Sequence, residues 1–176
     1  MPPANVTPKK MHSEKYEPWI PVQLTDRMDP ARKLAMFNEL VAMGFKEIEV
    51  GFPSASQPDY DFVRQLIEED LIPDDVIIQV LVQSRADLLE RTYECLEGAP
   101  RAIVHFYNST NPLQREVVFG LDRDGIVDIA TTAARLARKL EDRIPSTEVR
   151  YEYSPESFTL TEPDFAIEIC EAVMDV

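Results

Sequence analysis

Cysteine, histidine and glycine are scarce in this sequence, and each scarcity excludes a class of chemistry. The two cysteines, Cys95 and Cys170, form neither a paired framework nor a CxxC spacing, so we expect reduced thiols in a cytosolic protein. Two histidines without a GxSxG elbow give no basis for a Ser/His/Asp hydrolase. The five glycines form neither GxGxxG nor GxxxxGKS/T, which disfavours a phosphate-binding loop.

Positive charge and long apolar runs are also in short supply. The 18 lysines and arginines stand against 32 aspartates and glutamates, for a net charge of −14 at pH 7. A chain without a basic patch is a poor ligand for a phosphate backbone, so we expect no nucleic-acid partner. No apolar run approaches the roughly 20 residues that span a bilayer, and the first residues lack the apolar core of a signal peptide. We therefore expect no membrane contact and a cytoplasmic location.

The length bounds the architecture. A sequence of 176 residues, 44% of them hydrophobic, is long enough for one domain with a real core. A complete eight-stranded barrel of alternating strands and helices typically needs about 250 residues. The chain is therefore too short for a complete barrel of that kind.

Four segments alternate apolar with polar residues and then break into a turn: 46–53 (KEIEVGFP), 75–84 (DVIIQVLVQS), 101–110 (RAIVHFYNST) and 148–157 (EVRYEYSPES). The alternation predicts four strands, each with one apolar and one polar row of side chains. The apolar row includes Ile48, Val50, Phe52, Val80, Val82, Val104, Phe106, Val149, Tyr151 and Tyr153. The polar row includes Glu47, Glu49, Gln79, Gln83, His105, Tyr107, Arg150, Glu152, Ser154 and Glu156.

Helical patterns of roughly a dozen residues separate the strands, which implies parallel strands joined by right-handed crossovers. Asp29 is predicted to cap a helix that starts at Pro30, and Ser84 to cap the helix after the second strand. A long helix is predicted at 123–141, and the last helix is predicted to start at Thr161. Parallel strands align their carboxyl ends, so we expect the polar row to converge on one mouth. Partly buried polar side chains without a joint function are the alternative.

Several long motifs occur in a characteristic order: GFKEIEVGFPSASQPDYDFVR, IPDDVIIQVLVQ, GAPRAIVHFYNSTNPLQREVVF and YEYSPESFTLTE. Together they resemble the catalytic barrel of the 2-isopropylmalate synthases over about residues 28–176, and KYEPWIPVQLTDR resembles the N-terminal arm of that family. The sequence is also similar to the wider group of metal-dependent carbon–carbon bond-forming barrels, which includes homocitrate and citramalate synthases.

The resemblance implies an α/β fold, a partial TIM (β/α)8 barrel with about four parallel strands at 28–176, preceded by an arm at 1–27. It implies an acyltransferase that condenses acetyl-CoA with 3-methyl-2-oxobutanoate to 2-isopropylmalate and CoA, in leucine biosynthesis. Members of the family are typically homodimers. They use a divalent cation, such as Mg²⁺, Mn²⁺ or Zn²⁺, which holds the 2-oxo acid and stabilises charge on its carbonyl oxygen.

The resemblance also implies site residues. Glu156 of EYSPES is the expected catalytic group, for proton transfer or its support, with a capping role in the turn as the alternative. His105 of HFYNST is expected to polarise a substrate oxygen or to orient a neighbour, and Tyr107 to supply a hydroxyl donor. Ser154 is expected to contact substrate, and Glu49 is expected to lie near the metal or the substrate. A purely packing role is the alternative for His105 and Tyr107.

Two motifs of the family are missing from this sequence. The first barrel strand of the family ends in DLRDGNQ, with a catalytic arginine and a metal-binding aspartate, whereas here PVQLTDR runs directly into MDPARK. Asp26-Arg27 matches the arm better than that motif. The later HxH pair is missing too, because the only histidines are His12 and His105. We therefore expect that the metal ligands and the first strand are lost, that the chain stops before barrel closure, and that it is inactive alone.

Two other interpretations stay open. In the first interpretation, the chain is part of a citramalate or homocitrate synthase-like enzyme. In the second it is a noncatalytic remnant that pairs with an intact subunit through exposed barrel edges.

Overall fold

The computed structural model describes residues 28–176. The predicted arm at 1–27, the pair Asp26-Arg27 and the predicted loss of the first strand lie outside the described residues. In the described part, strands and helices alternate along the chain, and all strand pairs are parallel. The predicted α/β class with four parallel strands is confirmed.

The four strands form one sheet whose spatial order equals the chain order, β1-β2-β3-β4. They are β1 (Glu47–Gly51), β2 (Ile77–Gln83), β3 (Arg101–Ser109) and β4 (Glu148–Glu156). Within residues 28–176 the sheet is not closed, since β1 and β4 each pair with one strand, whereas a complete barrel of this type has eight strands in a ring.

Helical structure precedes each strand, and one further helix follows β4. The helices are α1 (Pro30–Ala42), α2 (Gln57–Glu68), α3 (Ala86–Leu96), the short turn α4 (Pro112–Gln114), α5 (Arg123–Glu141) and α6 (Pro163–Met174). A π-helix at Arg115–Phe119 continues α4, and a 3₁₀ turn at Phe158–Leu160 lies between β4 and α6. No helix in the described part is both long and apolar enough to cross a membrane.

Within residues 28–176, the unreversed strand order leaves one face of the sheet without helices. Because crossovers of this kind are right-handed, the connecting helices all pack on the same side. The side chains that face them are apolar and buried: Ile48, Val50, Ile78, Val80, Val82, Ala102, Val104 and Phe106. The other side, here called the open face, carries partly or fully exposed polar side chains: Glu49, Gln79, Gln83, His105, Tyr107, Glu152, Ser154 and Glu156.

Local signals predict two helices accurately. The Asp29 carboxylate accepts a hydrogen bond from Arg32 N at 2.8 Å, and α1 starts at Pro30. Helix α5 has the predicted bounds, and the Asp122 carboxylate accepts from Gly125 N at 3.0 Å. In both cases a side-chain oxygen binds an amide that the first helical turn leaves free, which favours a start at that point.

Two predicted helix starts are wrong. Ser84 does not cap α3, because Ser84 N donates to Tyr107 O at 2.8 Å and so extends the β2–β3 ladder by one residue. Arg85 takes the cap position without a side-chain hydrogen bond. Thr161 does not start α6, which begins at Pro163; its hydroxyl instead shares a hydrogen bond of 2.7 Å with the hydroxyl of Thr110. In both cases a contact with another strand or loop outweighs the local cap pattern.

Phe52 is a third correction. The pairing of β1 with β2 shifts register between Glu49 and Gly51, and Gly51 has φ of 150°, a conformation that favours glycine. This bulge interrupts the predicted alternation, and the ring of Phe52 contacts Tyr107 of the open face edge-on, with ring centroids 6.4 Å apart.

Truncating the core between α2 and the sheet is expected to destabilise the fold. Leu66 on α2 is fully buried, so Leu66→Ala should lower the free energy of unfolding by about 2–5 kcal/mol through lost burial and a residual cavity. Leu113 is 68% exposed, and Leu113→Ala is the matched control, expected to change it by at most about 0.5 kcal/mol. Urea unfolding followed by circular dichroism measures both; equal losses would contradict the assigned core.

Candidate active site at the carboxyl ends of β3 and β4

The polar residues of β3 and β4 lie side by side because the two strands pair in parallel. In the register of the sheet, Tyr107 lies opposite Ser154, and Ser109 lies opposite Glu156. His105 is one pair closer to the amino end, opposite Glu152. The structure therefore brings the four residues predicted from HFYNST and EYSPES to the same face and the same end of adjacent strands.

His105 is the centre of the contacts on the open face. Its Nε2 lies 2.7 Å from Ser154 Oγ, and its Nδ1 lies 3.2 Å from Gln79 Nε2 and 3.4 Å from Glu49 Oε2. Glu152 Oε1 is 3.7 Å from Nε2, too far for a hydrogen bond of normal strength. The imidazole thus lies between Glu49 on β1 and Ser154 on β4.

Glu156 is held from two sides at the end of β4. Its carboxylate accepts a hydrogen bond from the hydroxyl of Ser109 on the neighbouring strand. Its backbone carbonyl accepts from Thr110 N at 3.2 Å and from Thr110 Oγ1 at 3.1 Å. The carboxylate is therefore hydrogen-bonded across the sheet to β3.

Tyr107 keeps a neutral hydroxyl at this site. Burial raises the pKa of its phenol above the ordinary value, and the nearby carboxylate of Glu156 raises it further, because both oppose a phenolate. The hydroxyl therefore stays protonated around neutral pH and can donate a hydrogen bond.

Arg115 fastens the two loops next to the site. Its guanidinium donates to Glu162 Oε2 and Oε1 at 2.8 and 2.7 Å, and to Thr110 O at 2.8 Å. It also lies over the ring of Phe165, with 4.8 Å between the guanidinium carbon and the centroid. A bidentate pair of this kind has little freedom, so it ties the π-helix after β3 to the start of α6.

The open face does not by itself fit a divalent cation. Within residues 28–176, no three of His, Cys, Asp and Glu come together as a set of ligands. Glu49 and Glu152 both approach His105, but they do so at opposite ring nitrogens, so the three groups cannot converge on one ion. We therefore derive no chemical step through a metal from these residues.

Three residues of the site were not singled out by the sequence. Gln79 and Glu152 belong to the predicted polar row, so the alternation places them on the correct face without indicating their contacts with His105. Ser109 is buried at the end of β3, and its bond to Glu156 depends on the strand register. The chemical roles of Glu49, His105, Tyr107, Ser154 and Glu156 stay predictions; the structure shows their placement.

Four parallel strands that alternate with helices, with the helices packed on one face, define the class: part of a barrel of alternating strands and helices, a fold whose enzymes carry their active sites at the carboxyl ends of the strands. The chain belongs to the HMGL-like family, whose model matches residues 23–176.

Comparison with curated proteins supports the family and adds relatives of high sequence identity. Proteins named "2-isopropylmalate synthase" from Kineococcus radiotolerans and Pseudarthrobacter chlorophenolicus are 67% and 65% identical over 153 residues. One from Parafrankia sp. is 64% identical over 154 residues. The matches cover 87% of this chain in each case, but only 27%, 26% and 27% of these relatives. The chain thus spans about a quarter of their length, and the resemblance seen in the motifs is confirmed.

The clamp formed by Arg115 and Glu162 predicts a pH dependence of stability. The hydrogen bonds from Arg115 lower the pKa of Glu162 to about 2, with a smaller contribution from a backbone amide. In the unfolded chain a glutamate titrates near pH 4.3, so the stabilisation is complete above about that pH. It is lost as the pH falls through about 2, because the folded state then also binds the proton.

Glu162→Gln is therefore expected to lower Tm near neutral pH, with a difference from wild type that shrinks as the pH falls from about 4 to about 2. Thermal unfolding across this pH range measures it. Glu116→Gln, at an exposed glutamate of the neighbouring π-helix, controls for the loss of one surface charge. A constant difference in Tm at all pH values would contradict the clamp.

Proposed function

We propose that this chain is part of the catalytic barrel of a 2-isopropylmalate synthase, which condenses acetyl-CoA with 3-methyl-2-oxobutanoate and releases CoA. The observation that carries the proposal is the meeting of His105, Tyr107, Ser154 and Glu156 at one end of β3 and β4. It is supported by the family and by the names of the relatives.

The proposed roles follow from what each group can donate or accept. Tyr107 and Ser154 lie opposite each other in the register, and their hydroxyls would donate hydrogen bonds to oxygens of the 2-oxo acid. Glu156 would take the proton from the methyl group of acetyl-CoA, directly or through a neighbour, as the new carbon–carbon bond forms. The carbonyl oxygen of the 2-oxo acid gains a proton, and water then cleaves the thioester to release CoA.

The acidic charge of the open face does not by itself suit an anionic substrate. Glu49, Glu152 and Glu156 are acidic, and a 2-oxo acid carries its own carboxylate, so like charges face each other at short range. A cation is needed to offset this repulsion. We propose that the whole enzyme uses a divalent ion, Mg²⁺, Mn²⁺ or Zn²⁺, with ligands that residues 28–176 do not supply, and that it acts as a cytoplasmic homodimer.

A chimeric enzyme tests the substrate. Residues 28–176 would replace the matching segment of the Kineococcus radiotolerans relative, and CoA release would be followed with a thiol reagent. We expect turnover with 3-methyl-2-oxobutanoate to exceed turnover with pyruvate and with 2-oxoglutarate, the acids used by citramalate and homocitrate synthases. A folded chimera that prefers either competitor would contradict the proposal. The 176-residue chain alone is expected to release no CoA.

Glu156→Gln in this chimera tests the catalytic group. We expect kcat to fall by about 10²–10⁴, the usual contribution of a general base, with little change in KM for the 2-oxo acid. Glu148→Gln is the matched control, since Glu148 lies on the same strand and the same face, at the opposite end. It is expected to leave kcat unchanged. Equal kcat for E156Q and the parent chimera would remove Glu156 from the mechanism.

A further inference from the structure

Each of the four strands contributes one side chain to a continuous row of contacts across the open face. Glu49 of β1 accepts a hydrogen bond from Gln79 of β2 at 3.1 Å, and the same amide nitrogen lies 3.2 Å from His105 Nδ1 of β3. His105 Nε2 then lies 2.7 Å from Ser154 Oγ of β4. Neither Gln79 nor the direction of hydrogen bonding along this row is assigned by the roles given above.

The carboxylate at one end of the row determines how the amide is oriented. An ionised Glu49 can only accept hydrogen bonds, so Gln79 must turn its NH₂ group, and not its carbonyl oxygen, toward it. One N–H of that group donates to Glu49, and the other is available to His105 Nδ1 at 3.2 Å. Nδ1 can accept this hydrogen bond only if it carries no proton.

The orientation of the amide therefore selects one of two neutral forms of His105. With a bare Nδ1, the imidazole carries its proton on Nε2 and donates it to Ser154 Oγ. In the opposite form, Nδ1–H would donate to Glu49 Oε2 at 3.4 Å, and Ser154 would have to give its own proton to the bare Nε2. Only the first form leaves the Ser154 hydroxyl free to donate to a ligand.

We propose that Gln79, held by Glu49, keeps His105 in the Nε2–H form, and that this directs the Ser154 hydroxyl proton toward an oxygen of the bound 2-oxo acid. Gln79 and Glu49 are then positioning residues that act through His105. The identity of the ligand rests on the proposed function, whereas the form of the imidazole does not. Of the charged groups near the ring, Glu49 faces Nδ1 and Glu152 faces Nε2 from 3.7 Å.

The form of the imidazole can be measured in the 176-residue chain without any assay of activity. The chain contains only His12 and His105, so ¹⁵N-histidine labelling gives two rings, and His12→Gln assigns the remaining one. Nitrogen chemical shifts on the alkaline side of neutrality, where an imidazole is neutral, show which nitrogen is protonated. We expect Nε2–H for His105 in the wild-type chain. Predominant Nδ1–H would overturn the proposal.

Gln79→Glu tests the cause, because a carboxylate cannot donate to Nδ1. This variant is expected to move His105 toward the Nδ1–H form, and Gln83→Glu, on the same strand and face, is expected to leave it unchanged. Should Q79E not fold, Glu49→Gln carries the test, since it removes the acceptor that orients the amide and is expected to give a mixture of both forms. An unchanged Nε2–H form in the folded variant would refute the role of Gln79.

The chimeric enzyme connects this inference to substrate binding. There Q79E is expected to raise KM for 3-methyl-2-oxobutanoate about tenfold, the loss of one hydrogen bond, while Gln65→Glu, on helix α2, does not. A chimera without condensing activity in a chain that shows Nε2–H would refute the proposed function and leave the form of His105 standing. An active chimera in a chain that shows the Nδ1–H form would support the proposed function and refute the proposed form of His105.

Discussion

Parallel pairing without a reversal of strand order is the constraint on which the rest of this structure depends. With right-handed crossovers it sends every connecting helix to the same side of the sheet, so one row of each strand packs against helices and the other row faces the open side. The buried row is apolar, and its packing against the helices supplies the core. The other row can be polar, because none of the helices in the described part of the chain covers it. The position of the candidate site is therefore determined by the topology of the sheet as well as by the residue types.

The chemistry of the open face is that of an acidic surface with a few neutral donors. Glu49, Glu152 and Glu156 would repel an anionic ligand, while the hydroxyls of Tyr107 and Ser154 would attract its oxygens. Burial and the carboxylate of Glu156 keep the phenol protonated, and the contacts of His105 decide what Ser154 can do. An anionic substrate at such a surface calls for a cation that these residues do not hold among themselves.

Charged groups also stabilise the loops that surround this face. Arg115 joins the segment after β3 to the start of α6 through Glu162. At the β1 edge of the sheet, Lys33 of α1 pairs with Asp59 of α2 and lies over the ring of Phe62, with only 7% of its side chain exposed. Buried charges are costly to desolvate, so both contacts require their partners to stay in place. Neither lysine nor arginine carries a sequence pattern that would reveal such a pair.

Local and periodic features were readable from the sequence. Period-two alternation gave the four strands and their two rows, and the Asp29-Pro30 pair gave the start of α1, because both follow from the geometry of a single element. Contacts between elements were not readable. The bulge that turns Phe52 to Tyr107, the extension of β2 through Ser84, and the bond from Ser109 to Glu156 all depend on the register between strands. Residues far apart in the chain meet only once the sheet has formed, and so tertiary structure alone decided which polar groups share a hydrogen bond.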